Sequence, residues 1–329
     1  MNTQTTYAIG VDIGGQTTKI GLVDRHGNIL STDIITSNDT TDPHTFSQRL
    51  ANAIIALIER HTTLDNVTGI GIGAPMGNYY TGCIDGAINL PWCNGQTIPL
   101  VRWLKELTGL SAIVTNDANA AAMGEMAYGI AKGMNNFIMV TLGTGVGSGI
   151  VVNGKVLYGC DGYAGELGHV IVERHNGRSC GCGRSGCLET YTSARGIERS
   201  VREWLTATNL PSLLRQKDIA TITSKDIYEA AVKGDKLAKD AFALAGEKLG
   251  EAFANFVAFS SLEAIILFGG VTKAKDFFYP SLMEHMEKNL ISFWKGKVKV
   301  LFSILKESDA AILGASALAW EIKHYIRID

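Results

Sequence analysis

The chain of 329 residues is 46% apolar and carries 30 basic against 32 acidic residues, a net charge of −2. That balance excludes a disordered chain, and the lack of a basic tract argues against a nucleic-acid partner. The length suggests two domains. No charged-then-apolar segment opens the chain and no apolar run is long enough to span a bilayer, so a cytoplasmic protein with no membrane partner is expected.

Tyr7-Ala-Ile-Gly-Val-Asp-Ile13 reads as a first strand that ends in the turn Asp12-Ile-Gly-Gly15. Thr18 to Val23 is a second strand, and a third, also antiparallel, starts near Asn28. Apolar Leu50, Ile54, Leu57 and Ile58 predict a helix over 43–61. Val67-Thr-Gly-Ile-Gly-Ile-Gly73 is a strand with glycine on one face and isoleucine on the other. A short helix over 100–107 leads to a strand at 111–115, and Asp117 opens an alanine-rich helix, where it is expected as the N-cap.

The second half repeats the order. Strands are predicted at 136–142 and 149–152, followed by Asn153-Gly154, a hairpin signal. Helices are expected over 193–205 and 236–259, then a buried strand at 262–268, a helix over 280–290, a strand at 298–302 and a last helix from Ser308. This is a duplicated α/β plan, with a cleft expected where the halves face each other.

Two glycine-rich turns occupy matching places in the halves. Leu142-Gly-Thr-Gly-Val-Gly-Ser-Gly149 has neither the spacing nor the following helix of a dinucleotide fingerprint, and no Gly-Lys-Ser/Thr follows it. Alternating glycines at Gly143 and Gly145 let backbone N–H groups approach an anion, and Thr144 and Ser148 add hydroxyls. Asp12, Gly14 and Gly15 do the same in the first half, with Asp12 free to hold Mg²⁺. Packing glycines in tight turns are the alternative. Phe268-Gly269-Gly270-Val271 either lets a nucleotide lie against the backbone or is a turn leading into a helix.

Asn116 and Asp117 stand at a strand's carboxyl end, where ligands gather in α/β folds. A carboxylate there can take a proton from a substrate hydroxyl during phosphoryl transfer, with Asn116 holding a neighbouring hydroxyl. Cys83, Cys93 and Cys160 are scattered, whereas Cys180, Cys182 and Cys187 cluster after His169. One nitrogen and three sulfurs suit a structural tetrahedral Zn²⁺ with no open position; a reduced cysteine-rich loop is the alternative. Such a staple would also fix Glu166 and Glu189, which can grip vicinal hydroxyls. Asn89-Leu-Pro-Trp92 can add an amide and an aromatic face for a sugar ring, although a lone tryptophan such as Trp92 is more often a core residue.

Together, Asp12-Ile-Gly-Gly15, Asn89-Leu-Pro-Trp92, Asn116-Asp117-Ala-Asn-Ala-Ala-Ala122, Leu142-Gly-Thr-Gly-Val-Gly147, Glu166-Leu-Gly-His169 and Cys180-Gly-Cys-Gly-Arg-Ser-Gly-Cys187 resemble the ROK family of repressors and sugar kinases over essentially the whole chain. The resemblance implies a two-domain actin-like ATPase fold, related to ribonuclease H, with an interdomain cleft. The smaller N-terminal domain would be 1–117 plus 308–329, and the larger one 118–307 with the zinc loop. It implies ATP-dependent phosphorylation of a hexose 6-hydroxyl, glucose above all, with an N-acetylmannosamine or N-acetylglucosamine kinase as the alternative. Asp117 would be the general base. Asn89, Asn116, Glu166, His169 and Glu189 would hold the sugar; His169, Cys180, Cys182 and Cys187 the zinc. Asp12, Gly14, Gly15, Thr17, Lys19, Gly143, Thr144, Gly145, Gly269 and Gly270 would bind ATP with its Mg²⁺. A homodimer or homotetramer is implied.

Two positions depart from the family pattern. Gln16 stands where a threonine is usual, with the hydroxyls of Thr17 and Thr18 following, and Ile88 stands where a proline is usual. A sugar-responsive repressor of the same family would need a DNA-reading helix-turn-helix before Asp12, for which there is no room. An actin-like ATPase that moves partners would have no need of Glu166, His169 and the cysteines.

Overall fold

The computed structural model describes residues 6–322. In chain order the strands and helices begin with β1 (Tyr7–Ile13), β2 (Thr17–Asp24), β3 (Ile29–Thr36), α1 (Pro43–Glu59) and β4 (Val67–Gly73). A small two-stranded pair, β5 (Ile84–Asp85) and β6 (Thr97–Ile98), precedes α2 (Leu100–Thr108), β7 (Ala112–Thr115) and α3 (Asp117–Tyr128). Then come β8 (Phe137–Leu142), β9 (Val146–Val152), β10 (Lys155–Val156), α4 (Glu189–Thr192), α5 (Ala194–Ala207), α6 (Ser224–Val232) and α7 (Lys236–Ser260). The described chain finishes with β11 (Ala264–Phe268), α8 (Lys275–Asn289), β12 (Lys299–Phe302) and α9 (Ala310–Ala319).

The first sheet has the order β3-β2-β1-β4-β7 and the second β10-β9-β8-β11-β12, the same plan twice. In each, the central strands run parallel and the flanking hairpin antiparallel. Asn153 and Gly154 both have positive φ, 52° and 71°, the geometry of a two-residue hairpin turn between β9 and β10.

Contact density divides the chain into two units. The first holds the described residues of Met1–Asn135, Gly149–Gly165 and Ser303–Asp329; the second holds Asn136–Ser148 and Glu166–Phe302. The boundary expected at 117/118 thus falls at the first turn of α3, and α3 goes with the first unit. The 323–329 part of the expected first domain lies outside the described residues.

Alternation explains the first unit. Ile9, Val11, Ile70 and Ile72 point to one face of the sheet and bury against Phe46, Leu50, Ile54 and Leu57 of α1. Gly10 and Gly71 point to the other face, under α9. A Cβ on Gly71 would lie 1.9 Å from the Ala315 carbonyl oxygen, and one on Gly10 would lie 2.1 Å from that of Ile312. Only glycine permits so close a helix. The same device joins α3 to α9: a Cβ on Gly314 would lie 2.4 Å from the Ala120 carbonyl oxygen, and one on Gly124 would meet Gly314 Cα at 2.9 Å. This close approach is why α3 belongs with the first unit.

In the second unit, Gly246 and Gly250 of α7 allow α8 to pack at its backbone. Helix α8 begins at Lys275, not near Pro280, because Pro280 is accommodated inside it. The last helix likewise starts at Ala310, two residues after Ser308.

Candidate functional site

In the first unit, strand register sets the site. Asp12 is level with Gly73 on β4, and Gly73 with Thr115 on β7, so the carboxyl ends of three neighbouring parallel strands lie in a row. Asn116 and Asp117 follow at once. A Cβ on Gly73 would lie 3.6 Å from Asp117 Cα and 3.1 Å from Ala120 Cβ, so the missing side chain gives α3 its seat.

The N-cap of α3 is Asn116, not Asp117. Asn116 accepts the Ala118 N–H at 2.8 Å, and Asp117, the first helical residue, accepts the same N–H at 2.8 Å. Asn116 keeps its amide donor for other work. Asp117 is exposed to solvent, yet the protein around it strips enough water to raise its pKa above the ordinary carboxylate range. Desolvation, helped by the Asp117 charge, also pushes Asp12 up to about 6, against the pull of Lys19, its cross-strand partner. Two carboxylates and one ammonium thus share this corner, a setting for proton transfer and for a hard cation.

The turn after β1 is closed by the Gly14 N–H donating to the Thr17 carbonyl at 3.0 Å. That N–H is spent on the turn. Thr17 is exposed, but Thr18 is buried and its hydroxyl bonds Ser37 at 2.8 Å, so it cannot offer itself to a phosphate. Gly15 lies under the exposed Asn89; a Cβ there would meet the Asn89 carbonyl oxygen at 3.0 Å. Of the two readings of Trp92, sugar face or core, the structure takes the core one. It is 1% exposed and stacks on Phe46 with centroids 4.1 Å apart.

The second unit assembles the other set. The Gly143 N–H donates to the Gly145 carbonyl, and the Gly143 carbonyl accepts from Ala194 at the start of α5, leaving Thr144 exposed at the tip. Glu189 accepts the Val146 N–H at 2.8 Å, and a Cβ on Gly145 would lie 2.5 Å from the same carboxylate oxygen. Glu189 is therefore bonded to the glycine loop itself. The Leu167 N–H donates to Ser148 at 3.2 Å, which fixes the turn carrying Glu166 and His169 against β9. A hollow of about 390 Å³ opens among Thr144, Gly145, Cys180, Glu189, Ser193 and Arg195. Gly269, with φ 104°, turns the chain from β11 into the short 3₁₀ turn before α8, which is the helix-leading geometry.

The ligand atoms of His169, Cys180, Cys182 and Cys187 all lie within 4.8 Å of one another. Cys182 Sγ and Cys187 Sγ are 3.6 Å apart, as are Cys180 Sγ and His169 Nδ1. Tetrahedral Zn²⁺ with its usual bond lengths requires edges of about 3.6–3.8 Å, so the donor set fits the ion. The Arg184 backbone N–H helps lower the Cys182 thiol to about 6, while burial and the adjacent thiols push Cys187 up to about 12. The Cys187 thiol, crowded this way, holds its proton until a cation replaces it. His169 turns Nδ1 to the sulfurs, and its Nε2 lies 3.8 Å from Glu166. One imidazole thus faces both the metal position and a carboxylate.

Sequence reasoning missed Arg178. It is 9% exposed and donates from Nη1 to the Thr190 and Gly196 carbonyls at 2.9 and 3.2 Å, and from Nη2 to Glu203 at 2.7 Å. Its guanidinium lies 4.5 Å over the Tyr191 ring. It ties the cysteine loop to the helix that carries Glu189. Its position two residues before Cys180 was the available signal, and it reads equally well as a surface arginine.

A family model described as the ROK family matches residues 8–322. The chain is similar to the glucokinase of Halalkalibacterium halodurans, 38% identical over 284 residues and covering 85% of each chain. It is also similar to the glucokinase of Thermotoga maritima, 33% identical over 319 residues, 95% of this chain and 97% of that one. A ROK family glucokinase from Streptomyces griseus, solved in complex with glucose and AMPPNP, matches with a TM-score of 0.77 at 32% identity, covering 96% of this chain and 99% of that one.

Proposed function

Because the chain belongs to the ROK family, with its two-domain actin-like ATPase fold, we propose that it transfers the γ-phosphoryl group of ATP to the 6-hydroxyl of a hexose, with glucose as the preferred acceptor. The chain is an ATP-dependent hexose kinase. The observation that carries the assignment of roles is the placement of Asp117: solvent-exposed, with a raised pKa, at the carboxyl ends of β1, β4 and β7.

Asp117 accepts the proton of the attacking hydroxyl. A raised pKa suits that task, since a base is most effective when its pKa approaches the working pH. Asn89 and Asn116 in the first unit, and Glu166, His169 and Glu189 in the second, hold the remaining hydroxyls in directional hydrogen bonds. Gly15, Thr17 and Lys19, with Thr144 and Gly145, take the phosphates, and Gly143 closes the second loop through its own N–H. Gly14 supports the first turn through its internal bond, and Gly269 and Gly270 take the nucleoside. Asp12 would hold Mg²⁺, which neutralises phosphate charge when bound. His169, Cys180, Cys182 and Cys187 would hold Zn²⁺, whose part is to fix the loop bearing Glu166 and Glu189.

No helix among the described residues is long and apolar enough to cross a membrane. The test is a coupled kinase assay over glucose, mannose, fructose and the N-acetylhexosamines. Highest kcat/KM on glucose supports the reading. Preference for an N-acetylhexosamine moves the assignment to that acceptor, and inertness toward all of them ends it.

A further inference from the structure

Residues 157–166, which lead from β10 to Glu166, form neither strand nor helix. Gly159, Gly162 and Gly165 recur at every third position there, and all have positive φ, 77°, 93° and 99°. Glycine gives up more conformational freedom on ordering than any other residue, so such a segment needs anchors. It closes on itself through the Ala164 N–H, which donates to the Tyr158 carbonyl at 3.1 Å. The other anchors come from a second loop, residues 78–85, in the same unit.

The Tyr80 hydroxyl donates to the Gly159 carbonyl at 2.8 Å, and the Asn78 amide donates to the Asp161 carbonyl at 2.9 Å. Asn78 is buried, and its side-chain oxygen accepts the Tyr80 and Thr81 N–H groups, so both ends of the amide are engaged. Tyr79 stacks on Tyr158 with centroids 3.7 Å apart. The anchor nearest Glu166 is Tyr163, whose hydroxyl donates to Asp85 Oδ2 at 2.5 Å. Asp85 is itself fixed: its N–H donates to the Met76 carbonyl at 3.0 Å, and it pairs with Thr97 between β5 and β6. Burial and the adjoining carboxylate hold the Tyr163 phenol above its ordinary pKa, so it stays the donor.

Each end of that bond runs on into a group proposed to grip the sugar. Asn89 follows Asp85 by four residues, and Glu166 follows Tyr163 by three. Beyond Glu166 the Leu167 N–H is held by Ser148, so the anchor before Glu166 falls to Tyr163. Resting on the hexose-kinase reading, in which Asn89 and Glu166 hold hydroxyls, we infer that Tyr163 and Asp85 are positioning residues for the sugar: their bond keeps the approach to Glu166 in its binding conformation. They act through Glu166, and apparent sugar affinity falls by the fraction of time the approach spends elsewhere.

The experiment compares wild type, Y163F, D85A, D85N and the Y163F/D85A double variant in steady-state kinetics with glucose and ATP, well below each melting temperature. Phenylalanine keeps the Tyr163 ring and loses only the hydroxyl. The expected result is a rise of about three- to tenfold in the KM for glucose in Y163F and in D85A, with the KM for ATP within about twofold of wild type. The double variant shows no further rise, since both changes cut one bond. D85N keeps an oxygen that accepts the Tyr163 hydroxyl, so its KM for glucose stays within about twofold of wild type. A bond that serves stability alone lowers the melting temperatures of Y163F and D85A and leaves both KM values unmoved. That result, in an enzyme active on glucose, overturns the positioning role alone, as does a D85N impaired as much as D85A. A wild type inert toward every hexose overturns the hexose reading, and this inference with it.

Discussion

The most demanding test of the second unit is Arg178→Met. Methionine fills much of the arginine's volume but leaves the Thr190 carbonyl without its donor, while the Gly196 carbonyl keeps the Ser200 hydroxyl at 3.1 Å. It also removes the cation from over Tyr191. The ionic loss at Glu203 is small, because that carboxylate is 44% exposed and keeps Arg199 at 2.8 Å. One unsatisfied carbonyl and a lost cation–π contact together come to about 2–3 kcal/mol. For a domain of this size that is a fall of roughly 4–12 °C in melting temperature. Differential scanning calorimetry and urea unfolding with saturating zinc measure it. Because Thr190 adjoins Glu189, the KM for sugar should rise about tenfold while the KM for ATP stays within about twofold. Arg178→Lys should recover no more than about 1 kcal/mol, since lysine lacks the fork that spans both carbonyls. An unfolding free energy for Arg178→Met within about 0.5 kcal/mol of wild type, or full rescue by lysine, would refute the reasoning.

Asp117→Ala should lower turnover by roughly 10²–10⁴-fold with sugar binding largely kept, as read by steady-state kinetics and calorimetric titration; unchanged turnover removes Asp117 as the base. Because the Asp117 and Asp12 carboxyls are raised, activity should fall as pH drops through about 6, giving an acidic limb in kcat/KM. Asp12 also sets a pH-dependent stability. Its folded pKa lies above its unfolded one, so the native state binds the extra proton, and that stabilisation is present below about 4 and lost as pH rises through about 6. Asp12→Asn should therefore stabilise the protein by about 1–3 kcal/mol at pH 8 and by little at pH 4, while lowering activity. Cys182→Ser should lower zinc content and melting temperature together; a zinc-free wild type that retains full stability by elemental analysis and calorimetry contradicts the metal reading.

Periodicity made most of the fold legible. The Gly-Ile alternation in β4 shows one face that must meet a backbone and one that must fill a core, and α9 and α1 occupy those faces. The paired glycine loops, the Asn116-Asp117 corner and the cysteine cluster were visible because each needs particular residue types at short spacing. Features that depend on distant contacts were not. Trp92 goes to the core because Phe46, far along the chain, offers it a stacking partner. Thr18 and Thr17 look alike in sequence, and only the position of Ser37 buries the hydroxyl of one and leaves the other exposed. Helix α6 was legible in principle, since Thr223 and Asp226 form a capping box, but its apolar stripe is short. The left-handed backbone at Met76, φ 56°, is held by the Asp85 N–H on its carbonyl and by the bond of Ala74 to Thr115, which no local pattern announces.

The glycine face of β1 and β4 is covered by α9, which is made hundreds of residues after the strands it caps. During synthesis the first sheet therefore emerges with one side bare, and it stays so until α9 has been made. Nothing sold early to the solvent can be recovered until Ile312 and Ala315 arrive, so a nascent chain stalled before Asp309 presents an open hydrophobic flank to chaperones and proteases.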